Sequence, residues 1–119
     1  MSVKLSMKTM ESLLALPVKK RDMRWAHDVC TASRFIHINV WRFCTPRKQV
    51  ETDVIPLLKK ARDKLRELMG KKGFNDTKLS QYVENDTRRI SNLEDNYLKG
   101  RFSAFRPDDT LSGPESQVG

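Results

Sequence analysis

The side chains best suited to specific recognition lie close together near residue 90. Arg88, Arg89, Ser91 and Asn92 stand in the run Thr87-Arg-Arg-Ile-Ser-Asn-Leu93. Arginine pairs in bidentate fashion with guanine O6 and N7, and asparagine pairs in the same way with adenine N6 and N7. Ile90 and Leu93 give the same stretch an apolar side by which a helix can be anchored. A second set of reactive types is His27, Cys30, His37 and Cys44. His27 and Cys30 have ligand-like spacing, but on one helix residues 27 to 44 span about 25 Å at about 1.5 Å per residue, too long for one ion. The set reads as packing residues, and neither a metal nor another cofactor is expected. The chain has no Gly-rich phosphate loop, no His-Glu-x-x-His and no nucleophile placed by motif beside a base, so no enzyme activity is expected.

These residues need elements to hold them, and the chain reads as all-α, a single domain of four or five helices over residues 1–106. Ser6 to Ala15 suits a short helix with Met7, Met10, Leu13 and Leu14 on one face and Ser6 as its cap. Pro17 ends it or starts the next element. Residues 20–44 place Ala26, Val29, Ser33, Ile36, Val40 and Phe43 on one helical face. The same stretch is rich in β-branched and aromatic types, with Ile36, Ile38 and Val40 alternating. One long helix is the better reading, because no turn signal interrupts it and no partner strand is evident. Trp25, Phe35, Trp41 and Phe43 are then expected as the aromatic centre of the core.

Thr45-Pro46 reads as a helix start, with Thr45 as the cap and Pro46 at the first position. Asp53 offers a second start. Val54, Leu57, Leu58, Ala61, Leu65 and Leu68 follow at strong amphipathic spacing up to Gly70. A helix unbroken from Pro46 should kink at Pro56. Lys59, Lys60, Arg62, Lys64 and Arg66 take the outer surface. After the Gly70–Gly73 loop, Leu79, Tyr82 and Val83 mark one apolar face, and Ile90, Leu93 and Tyr97 another. Between them lies the polar run Glu84-Asn-Asp-Thr87, with Asp86 suited to cap a new helix. The same residues also read as one continuous amphipathic helix over 75–99, with Arg88 and Arg89 on its solvated side and Asp86 the polar intruder in its apolar seam.

Charge bears on the partner. The 119 residues carry 23 Lys and Arg against 15 Asp and Glu, a net charge of +8. Pro107 onward holds Asp108, Asp109 and Glu115 with no Lys or Arg, and is expected to be a disordered acidic tail over 107–119. A cationic body ahead of that tail suits a polyanion. The first residues lack the apolar stretch of a signal peptide, and no apolar run approaches the ~20 residues of a membrane span. With only two cysteines, reduced thiols and a cytoplasmic location are expected.

Residues 54–97 resemble the lambda-repressor-like, or XRE-type, helix-turn-helix family of DNA-binding domains. Arg66-Glu-Leu-Met-Gly-Lys-Lys-Gly-Phe74 resembles the end of that family's first helix and the following loop. Leu79-Ser-Gln-Tyr-Val83 resembles its second helix, with Ser80 the small residue at the crossing. Arg89-Ile-Ser-Asn-Leu-Glu94 resembles its recognition helix. The resemblance implies base reading by Arg88, Arg89 and Asn92, with Ser91 beside them, and phosphate contacts from Thr77 and Lys78. Lys59 and Lys60 are further candidates for phosphate. The expectation is a small DNA-binding regulator of transcription on double-stranded DNA, acting as a homodimer because half-sites are usually paired. The alternative is a non-enzymatic helical adaptor or inhibitor, of the kind phages and plasmids encode, that docks on a host protein or complex.

Overall fold

The computed structural model describes residues 3–101. The acidic tail expected from Pro107 onward lies outside them. Among the described residues the protein is all-helical, with four helices and no strand.

Helix α1 spans Val3–Leu14 and buries Val3, Met10 and Leu14, with Met7 and Leu13 partly covered. Ser6 lies inside this helix rather than capping it, and its hydroxyl accepts from Asn39 Nδ2 at 2.8 Å. The C-terminal carbonyls of α1 are met by a side chain from beyond the helix. Arg21 Nη2 donates to Leu14 O and its Nε to Leu16 O, both at 3.1 Å, while the guanidinium stacks over Trp25. A buried arginine is therefore spent on unpaired helix-end groups. A short 3-10 turn, Val18–Lys20, leads on.

Helix α2 spans Met23–Arg42 as one piece. Asp22 caps it, its carboxylate accepting from Trp25 N at 2.8 Å. Ala26, Val29, Ser33, Ile36 and Val40 form the buried stripe that their spacing predicts. The aromatic residues divide differently from expectation. Trp25 and Trp41 are buried, whereas Phe35 and Phe43 are exposed. Phe35 stands about 100° around the helix from Ile36, off the stripe. Phe43 is on the stripe by count, but the helix ends at Arg42 and Phe43 has left helical geometry. Cys44 follows with φ of 49°, the left-handed turn that closes the helix, and Thr45 N–H reaches back to Val40 O.

Helix α3 runs over 47–68. It begins as Arg47–Gln49, widens into a π-helical turn at Val50–Val54, and continues as the α-helix Ile55–Leu68. Pro46 holds the cap position with extended backbone, and Thr45 supplies no capping side chain. Thr45 instead offers its carbonyl to the Tyr97 hydroxyl. The chain thus crosses Pro56 without a second start at Asp53. Proline lacks an N–H and crowds the carbonyl four residues back; the wide turn immediately before it, closed by Ile55 N–H to Val50 O, accommodates both.

Gly70 and Gly73, at φ of 82° and 90°, turn the chain into helix α4, Asp76–Asn92. Asn75 caps it, accepting from Lys78 N at 3.0 Å. The helix then passes directly into a π-helical turn, Leu93–Tyr97. Packing is most extensive between α3 and α4, between α1 and α2, and between α2 and α4. Contacts from Ser6 to Asn39 and from Leu13 to Trp25 set α1 antiparallel to α2.

Candidate functional site

The two segments that the resemblance sets on either side of a turn are continuous in one helix. Residues 84–87 lie in the middle of α4, and no turn divides the two segments that the resemblance requires. The reason lies in where their polar atoms go. Asp86 is buried against α2, where Ser33 Oγ donates to it at 3.2 Å. Arg89, one turn on and fully buried, donates from Nη1 to Asp86 at 2.9 Å and to Cys30 O at 3.2 Å. A polar run that resembles a surface turn in sequence is the polar layer of a helix–helix interface. Burial pushes the Asp86 carboxyl up to about 7, against the pull of Arg89 and Ser33.

The layer continues beside it. Asn92 Oδ1 accepts from His37 Nε2 at 2.8 Å and from Trp41 Nε1 at 2.9 Å. Trp41 packs edge-on against Tyr97, with ring centroids 4.8 Å apart. Burial holds His37 down at about 4; Arg89 adds to the depression and the Asn92 hydrogen bond opposes it.

The eight expected nucleic-acid contacts are therefore scattered. Arg89 is in the core, and Asn92 is half-buried and committed to His37 and Trp41. Arg88 and Ser91 are exposed, but Arg88 faces Glu84 at 3.4 Å on the same outer stripe. Thr77 and Lys78 are exposed at the start of α4. Lys59 pairs with Glu94 at 3.0 Å, and Lys60 is exposed. The stripe Thr77, Glu84, Arg88, Ser91 and Asp95 mixes both signs, unlike a surface that tracks phosphates. Among the described residues no cluster of His, Cys, Asp and Glu is arranged to hold a metal ion.

Another surface gathers side chains that the sequence reading assigned elsewhere. Leu5, Ser6 and Thr9 of α1 face Ala32, Phe35, Asn39 and Arg42 of α2, with Phe43 just beyond. Together they line a groove of about 360 Å³. Leu5, Phe35 and Phe43 are 52%, 47% and 45% exposed, large apolar groups held at the surface. Asn39 donates across the floor to Ser6, linking the two helices, and Thr9 Oγ1 donates back to Leu5 O at 3.1 Å. Among the described residues, Arg42 is the one charged residue that lines the groove. Arg34 sits over the Phe35 ring at 5.4 Å. Phe35 was legible as a surface aromatic from its offset to the buried stripe. The exposure of Leu5 and Phe43 depends on where two helices begin and end, which spacing alone does not settle.

Comparison with protein-family models, with curated proteins and with solved structures finds no match to this chain.

Proposed function

We propose that the protein is a non-enzymatic helical interaction module, which binds a segment of a partner protein in the groove between α1 and α2. The observation that carries this reading is the clustering of Leu5, Phe35 and Phe43 around one concave surface. Solvent-facing aromatics grouped on a preformed floor resemble the anchors that dominate protein–protein interfaces. Scattered surface hydrophobics need no explanation, but three that share one groove do. The rest of the fold serves as a scaffold, with α3 and α4 backing the pair that makes the groove. Net charge supports the DNA-binding reading, while the hydrogen bonds of Arg89 and Asn92 within the helix interface favour the groove.

Selection of a displayed library of helical and extended peptides against the full-length protein tests this reading. Enriched peptides should bind the wild type and lose about tenfold or more in affinity to a Phe35→Ser, Phe43→Ser double variant. Both residues are exposed, so the variant should keep the wild-type helical circular dichroism. Enriched peptides that bind both proteins equally would place the site elsewhere. Duplex DNA bound at micromolar protein and near-physiological salt, with no peptide enriched, would return the function to nucleic acid.

A further inference from the structure

We infer that the occupant of the α1/α2 groove is an acidic, amphipathic helix of a partner protein. This inference rests on the groove being the binding site and goes on to name the chemistry it accepts. The first ground is length. Phe35 and Arg42 lie seven residues apart along α2, about 10 Å at 1.5 Å per residue, and Phe43 stands just past the helix end. That spans about two turns of a helix laid alongside, so anchors at i, i+4 and i+7 would meet Phe35, the Thr9–Asn39 floor and Phe43 in turn.

The second ground is the polar inventory of the groove. An extended peptide brings unpaired N–H and C=O groups that its site must satisfy. Here the lining offers a few side-chain groups, of which one Asn39 N–H and the Thr9 hydroxyl proton are engaged, and no ladder of backbone groups. Among the described residues there is no strand whose edge could pair with an incoming one. A helix satisfies its own backbone and presents only side chains, so it asks nothing of these groups.

The third ground is charge. Arg42 lines the groove, Arg34 lies over one lip at Phe35, and exposed Lys8 lies outside the lining on α1, one turn from Leu5. Among the described residues no carboxylate lines the groove. With a net charge of +8, a second copy of this chain would bring cations against cations. Glutamates flanking an apolar stripe would instead meet Arg42 and Lys8.

The test uses the full-length protein and two fluorescein-labelled helical peptides of about 18 residues, with one Leu/Phe stripe in common and either Glu or Lys on the flanks. Fluorescence anisotropy should show the Glu peptide binding about tenfold or more tightly, with the gap narrowing as salt rises from about 50 to about 300 mM. A Lys8→Glu, Arg42→Glu variant with unchanged helical content should reverse the preference. Equal affinity for both peptides, each lost in the Phe35→Ser, Phe43→Ser variant, would overturn the acidic partner and leave the groove reading intact. If neither peptide binds while the library still yields groove-dependent ligands, the helical partner alone is overturned. If no groove-dependent ligand of any kind is found, both fall. A synthetic peptide of residues 102–119 that displaces the Glu peptide at equal concentration would assign the groove to the chain itself and overturn the inference.

Discussion

Asp86 and Arg89 show how a single pair of side chains decides the reading of a whole segment. Both are charged types, and charged residues are rarely buried unless paired. Here they pair with each other across one helical turn and with Ser33 and Cys30 on α2. Removing one partner of such a pair leaves the other charge desolvated. Asp86→Ala should therefore cost about 3–5 kcal/mol of stability in urea unfolding at about pH 8, where the Asp86 carboxyl is ionised, and Asp86→Leu with Arg89→Met should recover most of it. A single-variant loss below about 1 kcal/mol would mean that water reaches the pair. The pH dependence follows from the same layer. Folding lowers the His37 pKa from 6.5 to about 4, so between these values the unfolded chain holds a proton that the folded one lacks, and this contribution to stability rises with pH. Folding raises the Asp86 pKa from 3.8 to about 7, so there the folded chain holds the extra proton, and this contribution falls with pH. The two slopes oppose each other over the shared window. Asp86→Asn should unmask the His37 slope, so that stability rises relative to wild type by up to about 1.4 kcal/mol per pH unit between about pH 4.5 and 6. A variant profile parallel to that of the wild type would contradict this.

At the scale of elements, the amphipathic stripes and the breaks were legible in the sequence. Ala26 to Val40 and Val54 to Leu68 lie where their spacing puts them, and Gly70 and Thr45-Pro46 interrupt the chain as expected. Two elements were not legible. The polar run at 84–87 reads both as a turn and as the middle of one helix, because sequence does not reveal that Ser33, some fifty residues away, supplies a partner for Asp86. The helix through Pro56 was not evident because the wide turn that relieves it has no composition signal. The continuity of α4 has a direct consequence for amide hydrogen exchange. The amides of Glu84 to Thr87 should be as protected as those of Leu79 to Val83, since both sets sit in one helix backed by α2 and α3. Fast exchange confined to 84–87 would mean that a turn does open there.

At the scale of the molecule, the candidate site was least legible of all. The residues with the most distinctive chemistry, Arg89 and Asn92, were drawn into holding the core together, and the surface they left is mixed in sign. The groove is made instead from residues of ordinary chemistry that two antiparallel helices bring side by side. With a partner seated in the groove, net charge acts as a filter on that partner. None of the helices described here is long and apolar enough to cross a membrane. The central claim is that a partner segment seats in the α1/α2 groove. The most direct measurement is the map of backbone amide shifts in a nuclear magnetic resonance titration of the full-length protein with a library-selected peptide. The largest shifts should cluster at Leu5, Thr9, Phe35, Asn39 and Phe43, with α4 unchanged. Shifts centred on Thr77, Lys78, Arg88 and Ser91, with the groove silent, would contradict it.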